Sequence, residues 1–150
     1  MRAVPVTVYG LCAQASYLPL RTGILVHSLF TSQLAKMAKA VPLFSGSKGN
    51  CYYIGTAAEG VLIDAGRCAK QLCASLREAG VEPDALQAVF LTHEHRDHTA
   101  ALDVFIKHHP LPVHVAGRSA DKLLRFGGDA LQASLVPHPP LFEVTVGPFT

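Results

Sequence analysis

Thr92-His93-Glu94-His95-Arg96-Asp97-His98 is the segment whose residue types and spacing point to chemistry. His93 and His95 stand two positions apart, and in an extended chain such residues face the same side. They can offer two imidazole nitrogens to one borderline cation such as zinc. Asp97 and His98 are neighbours where the chain turns from loop to helix, so they diverge from the first pair and suit a second ion beside it. Two ions about 3.5 to 4 Å apart share a hydroxide, lower the pKa of its parent water toward about 7, and clamp the attacking and leaving oxygens of a hydrolysis. The expectation is a centre for two divalent ions on His93, His95, Asp97 and His98, with zinc the first choice and manganese the second.

Such a centre has to be held by elements on either side of it. Strand-like apolar runs occur at 41–44, 51–54, 61–63, 88–91, 113–115 and 141–146. Between them, Ala69, Leu72, Cys73, Leu76 and Ala79 recur at helical spacing, with Gly80 as a stop. A second helix is expected over 98–109, ended by Pro110, and a third over 119–126 with Ser119 as its N-cap. This alternation defines an α/β fold. The metal segment follows run 88–91, at the carboxyl end of a strand, where ligand sites of α/β sheets lie. After 141–146, Gly147-Pro148 reads as a turn and Phe149 as the opening of another strand, so the sequence is expected to be truncated.

The chain has 150 residues, of which 49% are hydrophobic and 16% charged, enough for one core and too apolar for a disordered chain. The net charge of +2 is unevenly spread, because residues 1–36 carry Arg2, Arg21 and Lys36 and no acid. The remainder is slightly acidic, so no basic stripe marks a nucleic-acid footprint. Residues 1–36 lack periodicity and read as an extension outside the fold, with a domain over 37–150. No apolar run reaches the roughly 20 residues of a membrane span. Cys12, Cys51, Cys68 and Cys73 form no CxxC pair and read as buried, reduced thiols of a cytoplasmic protein.

The other candidates read as structural. His108 and His109 close a helix, His114 points outward from a strand, and His138 is a loop imidazole with a ligand role as its alternative. Ser45-Gly46-Ser47-Lys48-Gly49-Asn50 reads as a hairpin turn, although its backbone amides and Lys48 could also face a phosphate. Tyr52 and Tyr53 alternate on a strand and are expected to pack.

The HxHxDH pattern after a core strand resembles the central metal motif of the metallo-β-lactamase superfamily. Upstream, Gly60-Val61-Leu62-Ile63-Asp64-Ala65-Gly66 is similar to the strand that ends in that family's supporting Asp, and Ser45 to Asn50 is similar to the SGSSGN segment of its YycJ/WalJ group, with Lys48 in place of a Ser. The resemblance covers about residues 40–150 and implies the amino-terminal half of an αβ/βα sandwich. It implies His93 and His95 as ligands of the first metal and Asp97 and His98 as ligands of the second. Asp97 would also orient the attacking water, and Asp64 would support the ligands without touching an ion. The family's third His, bridging Asp and late His have no convincing counterpart in this sequence. The function implied is phosphodiester or nucleic-acid hydrolysis by a cytoplasmic enzyme. The alternatives are a thioester hydrolase similar to glyoxalase II and an inactive fragment that lacks the missing ligands.

Overall fold

The computed structural model describes residues 38–149, so the proposed extension 1–36 lies outside the described residues. Six strands form one mixed sheet in sequential order. β1 (Lys39–Phe44), β2 (Cys51–Gly55) and β3 (Gly60–Ile63) run antiparallel, and β4 (Leu86–Leu91), β5 (Val113–Ala116) and β6 (Leu135–His138) continue parallel to β3. Parallel neighbours need crossovers. These are α1 (Ala69–Glu78) with a short 3-10 turn (Pro83–Ala85), then α2 (Arg96–Thr99) with α3 (Leu102–His108), then α4 (Gly117–Phe126) with α5 (Asp129–Ser134).

Strand alternation fixes which face is buried. In β2, Cys51, Tyr53 and Gly55 are buried while Tyr52 and Ile54 face solvent. Tyr53, Leu62, Val89 and Val113 are successive partners across four strands, and each is fully buried. Leu72 and Leu76 of α1 and Leu102, Phe105 and Ile106 of α3 join them in one core. Truncating one of these leucines to alanine costs about 2–5 kcal/mol in such a setting. Gly80 ends α1 as expected: its φ is +73°, and the amide of Val81 returns to the carbonyl of Leu76.

Several expectations need correction. The helix expected over 98–109 is two helices, because the backbone of Ala65 intrudes. Ala65 N–H donates to the His98 carbonyl and its own carbonyl accepts from Ala101 N–H. Ser119 does not cap α4; Ala116 stands at that position, and the Ser119 hydroxyl reaches Glu94. The run 141–146 is not a strand. The sixth strand is Leu135–His138, paired with β5 from Val113↔Leu135 to Ala116↔His138. Pro137 lacks an amide hydrogen and is tolerated because β6 ends the sheet order. The Gly147-Pro148 turn does form, closing an isolated bridge between Val146 and Phe149. Cys68 is exposed rather than buried, and only Tyr53 of the tyrosine pair packs in the core.

His114 and His138 also differ from expectation. His114 does alternate with Val113 and Val115, but it is buried. Its ring stacks on Phe90 on one side and on His138 on the other, and His138, the last residue of β6 rather than a loop residue, stacks on Phe142. Nδ1 of His114 lies 2.8 Å from Nε2 of His138. Burial, with His138 adding to it, pushes the His114 pKa down.

Candidate metal centre

Three stretches of backbone meet beyond the carboxyl ends of β3 and β4. Asn50 N–H donates to the Asp97 carbonyl at 2.8 Å, Gly66 N–H to the Asn50 carbonyl at 2.9 Å, and Asp64 N–H to the Phe90 carbonyl at 2.8 Å. Gly66 is required at this junction. A Cβ there would lie 2.1 Å from the Asp97 carbonyl oxygen and 2.4 Å from the Asn50 nitrogen.

Asp64 is the hub of the side-chain network. It is 4% exposed and adopts a left-handed φ of 61°, which directs a carboxylate inward just past β3. It accepts from the Thr92 amide at 2.9 Å, from the Thr92 hydroxyl at 2.9 and 3.0 Å, and from His98 Nδ1 at 2.7 Å. A carboxylate only accepts, so His98 carries its proton on Nδ1 and leaves Nε2 as a lone pair. The Thr92 hydroxyl has a single proton, committed to Asp64. It therefore accepts from Nδ1 of His93, 3.0 Å away, and His93 too presents Nε2. One buried carboxylate thus sets the tautomer of two imidazoles, the arrangement by which carboxylates support metal-binding histidines.

The structure brings the four sequence-predicted residues together. The His93 ring lies 4.6 Å from that of His95, edge to face, and 4.0 Å from that of His98. Asp97 Oδ2 lies 3.3 Å from His98 Nε2. Donor atoms on a tetrahedral zinc at about 2.0–2.1 Å are separated by about 3.3–3.4 Å, so the Asp97–His98 pair has the spacing of two ligands on one ion. Among the described residues, no three His, Cys, Asp or Glu side chains form a group that could hold an ion. Asp97 and His98 stand at ligand spacing, and the rings of His93 and His95 lie beside them.

Two further residues belong to this neighbourhood. Asn50, expected in the turn or phosphate-facing loop of 45–50, instead reaches with its Nδ2 to Asp97 Oδ2 at 3.1 Å and His98 Nε2 at 3.2 Å. Glu94 turns away from the imidazoles toward Lys122 and Ser119 of α4, anchoring the loop from outside. Lys122 first, then Ser119, pull its carboxyl down to about 2. Cys51 is no ligand candidate, since burial, with Asp64 adding to it, pushes its thiol up to about 12. A cavity of about 330 Å³ beside α2 is lined by Glu94, Arg96, Asp103, Phe126 and Leu131 and by none of His93, His95, Asp97 or His98.

The sheet, its crossovers and this loop define the class. The model of the metallo-beta-lactamase superfamily matches residues 45–147, and the chain belongs to that superfamily. Within it, the chain is similar to the exodeoxyribonuclease WalJ of Streptococcus pneumoniae serotype 2 (strain D39 / NCTC 7466), with 38% identity over 65 residues, 43% of this chain and 24% of WalJ. It is likewise similar to the exodeoxyribonuclease YycJ of Bacillus anthracis, with 38% identity over 72 residues, 48% of this chain and 27% of YycJ. The matched stretch therefore spans about a quarter of the length of these relatives. Among solved structures, the metallo-beta-lactamase SMB-1 superposes with a TM-score of 0.59 at 16% identity, covering 77% of this chain and 48% of that one. MEM-A1, a subclass B3 enzyme from a soil metagenome library, gives 0.56 at 20% identity, covering 74% and 46%. The fold is that of part of the metallo-beta-lactamase domain. No helix among the described residues is long and apolar enough to cross a membrane.

Proposed function

We propose that this chain carries the metal-binding segment of a phosphodiester hydrolase that acts on nucleic acid, as its exodeoxyribonuclease-named relatives suggest. The observation that carries the reading is the tautomer lock on Asp64, which leaves Nε2 of both His93 and His98 as lone pairs in contacting rings. His93 and His95 would hold one divalent ion, zinc or manganese, and Asp97 and His98 a second. When bound, such ions supply Lewis-acid activation of water and neutralise charge on a phosphate. The chain's own contribution is positional: Asp64 and Thr92 hold the imidazoles still, and the Asp97 carboxylate orients the attacking water. We place the protein in the cytoplasm, a setting that suits the free thiols of Cys51, Cys68 and Cys73.

Each ion would draw two side chains from these residues, whereas a catalytic zinc commonly takes three protein ligands. These residues are therefore expected to bind ions weakly and to give little or no turnover. The test is equilibrium dialysis of the chain against zinc and against manganese, together with an assay on end-labelled DNA. Zinc retention lost in His98→Ala, with slow DNA shortening lost in His93→Ala, supports the reading. Retention and cleavage that both variants leave unchanged, or the absence of both from the parent chain, overturn it.

A further inference from the structure

The cavity of about 330 Å³ beside α2 takes one wall from the loop 92–98 itself, because Glu94 and Arg96 both line it. Arg96 stands between His95 and Asp97, so the cavity and the proposed ligands share one loop. The polar groups of the lining are unevenly committed. Glu94 is held by Lys122 and Ser119, Asp103 accepts from Gly128 N–H at 2.7 Å, and the Thr99 hydroxyl lies against the carbonyls of Glu94 and His95. The side chain of Arg96 is exposed and has no hydrogen-bond or salt-bridge partner among the described residues.

The rest of the lining is largely apolar. Leu123 and Leu131 are buried and make its floor, and Phe126 stands at its rim. α4 buries Ala120 and Leu123 and then ends, so Phe126, one turn on, comes out past the core with its ring in solvent. At 84% exposure it is the most exposed aromatic residue among the described residues. An open ring, an apolar floor and an unpaired guanidinium are the parts that hold a nucleotide. The ring stacks a base whatever its identity, and the guanidinium takes two phosphate oxygens in parallel hydrogen bonds. Arg118 and Arg125 of α4 are exposed too, but Asp121 and Asp129 accompany them, so no continuous basic track leads away from Arg96. The charge therefore suits one nucleotide unit rather than a long strand.

We propose that this cavity is a nucleotide subsite beside the metal loop: Phe126 stacks one base of single-stranded DNA and Arg96 holds the adjoining phosphate. This rests on the reading of nucleic acid as the substrate and adds that the strand is taken unpaired, since an inner base of a duplex is already stacked on both faces. The subsite uses no ion, so its occupancy can be measured in chelator.

The chain has no tryptophan, and Phe126→Trp places a single indole at the rim. Its fluorescence is titrated in chelator with a short single-stranded oligothymidylate, with an abasic oligomer of the same length and charge, and with a blunt duplex. Quenching is expected from the first at concentrations where the other two give little. Anisotropy of the labelled oligothymidylate on the unsubstituted chain should show binding that Phe126→Ala weakens by about 5- to 150-fold, the loss of one base–aromatic stack, and that Phe126→Tyr keeps. Arg96→Ala should make the slope of log K against log salt less negative by about 0.7, one phosphate contact on a single strand. Both side chains are exposed, so neither truncation opens the core. No oligothymidylate binding, equal quenching by all three polymers, or binding that neither truncation changes overturns the proposal. So does a Phe126-dependent self-association in sedimentation with no effect on DNA. These failures leave the metal reading to its own test, zinc retention in His98→Ala. Zinc retention indifferent to that variant removes the hydrolase reading and leaves binding measured in chelator standing.

Discussion

Asp64 and His98 are 34 positions apart in sequence and 2.7 Å apart in space, and their contact decides which nitrogen of His98 faces outward. Asp64→Asn keeps the size of the side chain and tolerates the left-handed backbone, but it offers one acceptor where two served Thr92 and His98. The substitution should destabilise the metal-free chain by about 1–3 kcal/mol through donors left without partners. It should also weaken zinc binding by about 10- to 100-fold. Urea unfolding in chelator and chelator-competition titration measure the two effects separately.

Gly66→Ala tests the backbone junction without replacing a proposed ligand side chain. The added methyl meets main-chain atoms of Asp97 and Asn50, neither of which can step aside as a side chain could. Overpacking of this kind costs about 1–3 kcal/mol. Gly80→Ala is the contrast: its φ is positive, but nothing lies within 4 Å of the added atom, so backbone strain alone is felt. Gly66→Ala should lose zinc binding together with stability, and Gly80→Ala stability only.

The His114–His138 pair gives stability an acid limit. Burial, followed by His138, lowers the His114 pKa from its ordinary value of 6.5, so below that value the unfolded chain binds more protons than the folded one. Its contribution is complete above pH 6.5 and is lost as the pH falls from there toward the lowered pKa. His114→Phe keeps a ring against Phe90 and removes the titration. Urea midpoints measured in chelator between pH 7.5 and 5 should fall less steeply for this variant than for the parent chain.

Thiol labelling checks the cysteine environments. In a Cys12→Ser background, Cys68, exposed on the surface, should react with a disulfide reagent within the mixing phase. Cys51 is fully buried with its thiol pushed up to about 12, and should react only at the rate of global unfolding. Rapid labelling of Cys51 under native conditions would mean that β2 opens locally.

The metal loop was legible because its pattern is local: six consecutive positions carry the types and the spacing, and the apolar run before them marks the strand. Asp64 was legible through the family resemblance and through its place at a strand end. Asn50 was not, because its partners lie 47 and 48 positions away and a turn sequence does not say what the turn packs against. The same holds for the interruption at Ala100 and Ala101. Their helical propensity is good, and the break comes from Ala65, in the loop after β3, bonding to their neighbourhood. β6 was missed for the opposite reason. Leu135 to His138 is short and contains a proline, while the better-alternating run after it has no strand beside it in the sheet. Pattern reports what a segment could pair, and the sheet had already placed its partner.

The junction of Asn50, Gly66 and Asp97 also has a place in time. Each of its contacts closes a loop whose entropy must be spent before any hydrogen bond repays it, and the longest spans 47 positions. The hairpin of β1 and β2 and the local helix turns need no such closure. The junction is therefore expected to zip up after the folding barrier, once β3 and β4 lie side by side. Substitutions there, Gly66→Ala among them, should then leave the refolding arm of a chevron nearly unchanged and steepen the rate of escape from the native state. In kinetic terms the region that would hold the ions is the last part of the molecule to assemble and the first to come apart, so a bound ion would act chiefly as a brake on unfolding.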